Sequence, residues 1–190
     1  MLPRPRRLIL PAMILALIAG VVALVPGTSV RAALPQGAAA PDFETPAVLA
    51  GKPFAFRLKD ALKQGPVVLY FFPAAFTSGC TIEAHDFSDA AEAFHAAGAS
   101  VIGLSHDPID KLSRFSVTEC RNKFPVGVAS GAVMGAYKVK LPVLSMSDRT
   151  SYVIAPDGTI LMAYSAFSPQ GHVARALAAV KAWRAAHPAG

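Results

Sequence analysis

Val67-Val68-Leu69-Tyr70-Phe71-Phe72-Pro73-Ala74-Ala75-Phe76-Thr77-Ser78-Gly79-Cys80 decides the reading of this chain. Its first six residues form a short, continuous apolar run closed by a proline, which predicts a central strand covered on both faces. Cys80 then opens a helix, where free backbone N–H groups and the positive end of the helix dipole favour a thiolate over a thiol. A strand-to-helix turn that shuttles disulfides carries Cys-x-x-Cys, and here Thr77 fills the first position of that box. Exchange through adjacent thiols is therefore excluded. What remains is one nucleophilic sulfur with a hydroxyl three residues upstream, able to bond the sulfur or an incoming oxygen. Pro73 stiffens the turn and helps to shield the sulfur.

Pro73, Thr77 and Cys80 stand at the spacing Pro-x-x-x-Thr-x-x-Cys, and in this the chain resembles the peroxiredoxin family. The resemblance runs from about Ala40 to the end: Ala40-Pro41-Asp42-Phe43 is similar to the family's opening segment, and Asp157-Gly158 to a late hairpin turn. Gly79-Cys80-Thr81-Ile82-Glu83 resembles the bacterioferritin-comigratory, or Q-type, branch most. The resemblance implies an arginine meeting Cys80 from a distant strand, and Asp148-Arg149-Thr150-Ser151-Tyr152-Val153-Ile154 supplies Arg149. A guanidinium stays charged and offers a fork of donors, suited to holding a thiolate and a peroxide together. Glu83, one turn into the helix, is implied to orient its neighbours.

Many members of that branch carry a resolving cysteine five residues after the first, where this chain has His85. The only other cysteine, Cys120, falls in Phe115-Ser116-Val117-Thr118-Glu119-Cys120-Arg121, a predicted helix. Some relatives place the resolving cysteine on this neighbouring helix, so Cys120 is expected to resolve. A one-cysteine mechanism and an inert buried thiol are the alternatives. Sulfurs on separate helices need local unwinding to meet, because a disulfide requires Cα atoms within about 7 Å. His85 itself reads as a helix-surface histidine, with proton donor or metal ligand as the sharper alternative. His95, His106, His172 and His187 are scattered without metal-ligand spacing, which predicts no metal.

The first forty residues pose a separate question. Arg4, Arg6 and Arg7 precede an almost wholly apolar stretch over residues 8 to 25, and Val30-Arg31-Ala32 offers a small-residue exit. Residues 1–32 are expected to be a cleaved export signal, with an uncleaved membrane anchor as the alternative, so that the body is periplasmic or otherwise extracytoplasmic. Residues 33–41 read as a flexible spacer and 42–190 as one catalytic domain. The net charge of +6 owes four positive charges to Arg4, Arg6, Arg7 and Arg31, so removing the leader leaves +2. The remaining body carries no Lys/Arg cluster, and no P-loop or G-x-G-x-x-G appears, which gives no support to nucleic-acid or nucleotide binding.

Along the body strand and helix patterns alternate. A hairpin or extended entry through Phe54-Ala55-Phe56-Arg57-Leu58 precedes the Val67 strand, a helix from Cys80 to about Ala97 capped by Gly98, and the strand Val101-Ile102-Gly103-Leu104. That helix shows an apolar stripe of Ile82, Phe87, Ala91 and Phe94. A helix from about Pro108, a short strand or loop at Phe124 to Val128, a short helix at Ala132 to Tyr137, a hairpin around Pro156-Asp157-Gly158 and a closing helix from about Gln170 follow. The order predicts an α/β, thioredoxin-like three-layer sandwich with a central mixed sheet.

The resemblance implies a thiol peroxidase without haem, flavin or metal. Cys80 is its peroxidatic residue, with Thr77, Gly79 and Arg149 binding the peroxide, and a thioredoxin-like protein or other thiol reductant restores it. The chain is expected as monomer or homodimer, touching membrane only if the leader is retained. An exported thiol-disulfide oxidoreductase is the rival enzyme, and a thioredoxin-fold redox or copper-binding module using Cys80, His85 and Cys120 is the rival binding protein.

Overall fold

The structure is a computed structural model that describes residues 33–188. The expected leader, residues 1–32, lies outside them. Seven strands, β1 Glu44–Leu49, β2 Lys52–Arg57, β3 Val67–Phe71, β4 Ser100–Ser105, β5 Val126–Val128, β6 Thr150–Ile154 and β7 Ile160–Ser165, join in one sheet. The order is β2-β1-β5-β4-β3-β6-β7. Pairs β3·β4 and β4·β5 are parallel and the others antiparallel, so the sheet is mixed. Helices α1 Leu58–Leu62, α2 Ser78–Asp89, α3 Ala91–Ala96, α4 Ile109–Thr118, α5 Gly131–Ala136 and α6 His172–Ala186 complete the elements of the described residues.

Strand β3 runs inside the sheet and is buried at every position. Val67, Leu69 and Phe71 point into a core with Ile102, Leu104, Tyr137, Tyr152 and Ile154. Val68, Tyr70 and Phe72 enter the opposite core with Phe87, Phe94, Leu112, Phe115 and both cysteines. The apolar run is thus continuous because neither face meets water. Gly103 is required where β4 passes this strand, since a Cβ there would lie 2.6 Å from the Tyr70 ring.

Four expectations need correction. The helix expected from Cys80 to Ala97 begins at Ser78 and is interrupted at Ala90, whose φ of −89° and ψ of −3° depart from regular helical values and join α2 to α3. Just before the break, Ser88 Oγ donates to the Ala84 carbonyl at 2.7 Å, a side-chain bond of the kind that bends helices. Ile82, assigned to the apolar stripe, is 45% exposed. The helix expected to contain Cys120 ends at Thr118. Finally, the spacer at residues 33–41 is docked: Gly37 N–H donates to the Ile160 carbonyl and Ala40 N–H to the Gly158 carbonyl, both at 2.8 Å, and Leu34 N–H donates to Tyr152 Oη at 3.1 Å. Ala33, Leu34, Ala38 and Ala40 pack on the second core, which explains their apolar character.

Strand β1 was not legible, because Pro46 argues against an interior strand. It nonetheless pairs on both sides, with β2 through a turn at Ala50 (φ 51°) and Gly51 (φ 74°), and with β5 at Ala47 and Val48.

Candidate active site

The cysteine loop leaves β3 at Phe72 and turns into α2 under two local constraints. Ala75 N–H donates to Asp107 Oδ2 at 2.7 Å, and Phe76 adopts a left-handed φ of 67°. Asp107 is itself fixed, accepting from Ser105 Oγ on Oδ2 and from Lys111 Nζ on Oδ1, each at 2.7 Å. Burial of Asp107 acts upward on its carboxyl, but the bonds from Lys111, Ala75 and Ser105 outweigh it and hold the group below the usual carboxylate range. Because Asp107 lies just past β4, the parallel β3·β4 pair delivers it beside the loop.

Cys80 is the third residue of α2 and is 1% exposed. The helical bonding starts with Thr81 N–H on the Thr77 carbonyl, so the amides of Ser78, Gly79 and Cys80 have no intrahelical acceptor. Thr77 is the helix N-cap residue without a side-chain cap bond; its hydroxyl donates to the Ala74 carbonyl at 2.9 Å. That bond ties the loop together and leaves the hydroxyl oxygen exposed at its mouth. Pro73 is half-buried beside it.

Arg149 reaches this loop because β6 lies antiparallel to β3 with Thr150 opposite Phe71. The residue before the pair therefore stands over the loop after the strand. Arg149 is 7% exposed and uses its whole fork. Nη2 donates to Cys80 Sγ at 3.5 Å, Nη1 donates to Glu83 Oε2, and Nε donates to the Phe167 carbonyl at 3.1 Å. Gly79 makes room for it: a Cβ there would stand 3.0 Å from Nη2.

Behind Arg149 lies a group the sequence did not reveal. Glu83 is 0% exposed, and its Oε1 faces His172 Nδ1 at 3.6 Å. His172 opens α6, accepts or donates with Ser151 Oγ at 2.8 Å through Nδ1, and places Nε2 3.4 Å from the Ala166 carbonyl. Burial lowers His172 to about 4, opposed by the Ala166 carbonyl and assisted by Arg149, so the imidazole is neutral at pH 7. Burial raises Glu83 to about 8, with Arg149 pulling the other way. A single guanidinium thus stands between a buried carboxyl and a sulfur, and burial of Glu83 works against its charge while Arg149 favours it.

Cys120 is 0% exposed, just beyond α4, and both cysteines are free thiols. Burial, and then the Glu119 charge, pushes the Cys120 thiol well above its ordinary range. His85 Nε2 lies 2.9 Å from Glu119 Oε2. Among the described residues no cluster of three or more His, Cys, Asp or Glu could hold a metal.

Residues 36–163 match the AhpC/TSA family. The chain is a peroxiredoxin of this family. Over 133 residues it is 41% identical to the Mycobacterium tuberculosis H37Rv protein named "Putative peroxiredoxin Rv1608c", covering 67% of this chain and 86% of that one. It is 31% identical to the chloroplastic peroxiredoxin Q of Oryza sativa subsp. japonica over 92% of this chain and 87% of the relative. The crystal structure of peroxidoxin BcpB from Mycobacterium tuberculosis superposes with a TM-score of 0.71 at 37% identity, covering 78% of this chain and 97% of that chain. These likenesses support the Q-type branch, and the thioredoxin-like peroxiredoxin fold is that of the solved structures. The peroxiredoxin is accordingly a thiol peroxidase, an oxidoreductase.

In this peroxiredoxin the sequence-derived residues Cys80, Arg149, Glu83 and Gly79 come together directly, and Thr77 and Pro73 frame the loop. Asp107, His172 and Ser151 were missed. Asp107 had a usable signal, since it follows a buried strand end that must pair beside the loop; nothing in the sequence ties His172 to Glu83.

Proposed function

We propose that Cys80 is the peroxidatic sulfur of a cycle that reduces hydrogen peroxide and organic hydroperoxides. The single observation supporting this is the Arg149 Nη2 contact with Cys80 Sγ at the amino end of α2. The thiolate attacks one peroxide oxygen, the O–O bond breaks, and the departing oxygen takes a proton to leave as water or alcohol. Sulfur is left as sulfenic acid. Arg149 and the free amides of the first turn are placed to stabilise charge moving onto the departing oxygen.

Cys120 then attacks the sulfenic sulfur, releasing water and forming a disulfide that a thioredoxin-like or other dithiol reduces. Both thiols sit in one core cluster, but Cys120 is fully buried, so this step needs residues around it to open. We also infer export from the basic start and apolar run of residues 1–32, testable by mass analysis of the mature amino terminus.

Peroxide consumption with dithiothreitol tests the first step: turnover is expected in the native chain and lost in Cys80→Ser. Retained turnover in that variant overturns the assignment. Peptide mapping after oxidation is expected to give a Cys80–Cys120 linked pair, and persistent Cys80 sulfenic acid without that pair makes the enzyme one-cysteine.

A further inference from the structure

His85, Asp89 and Glu92 succeed one another at intervals of four and three residues along α2 and α3. Each meets a charged side chain on the segment leaving α4. His85 Nε2 lies 2.9 Å from Glu119 Oε2, Arg121 Nη1 2.7 Å from Asp89 Oδ1, and Lys123 Nζ 3.1 Å from Glu92 Oε1. Cys120 stands between the first two rungs of this ladder and points into the core. The backbone there is not at rest: Arg121 and Asn122 both hold left-handed conformations, with φ of 49° and 60°. Two successive side chains bearing a Cβ adopt that region only under constraint.

The geometry points to a latch. The three rungs hold residues 119–123 against α2 and α3 in their strained form, and so set how often Cys120 leaves the core to reach a sulfur on Cys80. His85, Asp89 and Glu92 are positioning residues for the second thiol. This inference rests on the reading of Cys120 as the resolving residue. At position 85 this chain has a rung that restrains the sulfur at position 120.

The latch is weak by construction. The side chains of Arg121 and Asp89 are 46% and 70% exposed, and those of Lys123 and Glu92 47% and 82%. Solvated pairs of this kind each change an opening equilibrium by roughly twofold to threefold, and salt screens them. Backbone bonds from Cys120 N–H to the Phe115 carbonyl at 3.0 Å and from Asn122 N–H to the Ser116 carbonyl at 3.1 Å add neutral links that survive when the charges are removed. Opening therefore becomes more frequent, not permanent, when rungs are cut.

The test is alkylation of Cys120 by iodoacetamide in the reduced full chain carrying Cys80→Ser, so that one thiol reports. Asp89→Asn with Glu92→Gln is expected to speed labelling about fivefold, with the urea midpoint lowered only by the two lost pairs, and 1 M sodium chloride to speed the parent similarly. Asp89→Arg combined with Arg121→Asp is expected to restore slow labelling. An unchanged rate in the double variant, labelling of the parent no faster than global unfolding permits, or failure of the reversed pair to restore protection overturns the latch. Peptide mapping of oxidised native chain is a separate arm. If no Cys80–Cys120 pair forms while labelling obeys the ladder, the resolving role falls and the latch stands.

Discussion

Thr150 pairs with Phe71 across the β3·β6 ladder, and this one register places Arg149 Nη2 3.5 Å from Cys80 Sγ. A slip of a single residue would turn the guanidinium to the other face of the sheet and leave the sulfur without a cation. The Arg149–Cys80 contact is therefore a property of strand pairing between segments 69 residues apart, and not of the cysteine loop alone.

Arg149→Met is expected to lower the rate of Cys80 oxidation by about 10²-fold, the loss typical of removing one charge-stabilising donor. Arg149→Lys should recover only part of it, because an ammonium cannot serve Cys80, Glu83 and the Phe167 carbonyl with one fork. Stopped-flow oxidation under single-turnover conditions measures both. Equal rates in the Lys variant and the native chain would contradict the role of the fork.

Gly79→Ala separates activity from stability. Alanine suits a helix better than glycine by up to about 1 kcal/mol, yet its Cβ would press on Nη2 at 3.0 Å. Held by three partners, the guanidinium can yield only by moving away from sulfur. The expectation is an unchanged or raised melting temperature with oxidation slowed about tenfold, a displacement cost in the range seen for misplaced groups. Unimpaired oxidation would show that Arg149 tolerates the displacement.

Asp107→Ala leaves the Ala75 N–H without its acceptor and removes a partner from Lys111 and Ser105. Losing a buried charged acceptor should cost about 1–3 kcal/mol in urea unfolding and slow oxidation, since the loop that ends at Cys80 is no longer pinned. The native contribution is present above the ordinary aspartate pKa of 3.8 and is lost as pH falls through the lowered folded value. A variant as stable and as fast as the native chain would rule out the clamp.

Glu83 and His172 give stability opposite dependences on pH. Glu83, raised by burial from 4.5 to about 8, stabilises the fold fully below its unfolded pKa and loses that contribution as pH rises through about 8. His172, lowered by burial from 6.5 to about 4, contributes above 6.5 and loses it as pH falls through about 4. Their slopes cancel between about 4.5 and 6.5, and only the Glu83 decline remains above that. Urea midpoints should hold steady up to about pH 6.5 and then fall, and Glu83→Gln should abolish the fall. A fall that persists in Glu83→Gln would assign it elsewhere.

Much of this was legible because it is local. The unbroken apolar run through Phe72 required a strand covered on both faces, and the fixed offsets of Pro73, Thr77 and Cys80 marked the loop. Arg149 was found through the resemblance of its strand to the family's. What stayed hidden depends on tertiary neighbours. His172 matters only because α6 sets it 3.6 Å from Glu83, and β1 was obscured by Pro46, whose missing N–H the pairing with β2 and β5 tolerates. Residues 33–41 read as a spacer because alanine and proline carry little pattern, although the β7 side of the sheet binds their backbone.

The most direct measurement is oxidation of Cys120→Ser by one equivalent of hydrogen peroxide, read by intact mass and peptide mapping. One oxygen atom gained on Cys80, trapped by a sulfenic acid reagent and strongly slowed in Arg149→Met, is the predicted result. Cys80 left unmodified while the peroxide persists, or oxygen found only on methionines, would contradict a peroxidatic sulfur held by Arg149.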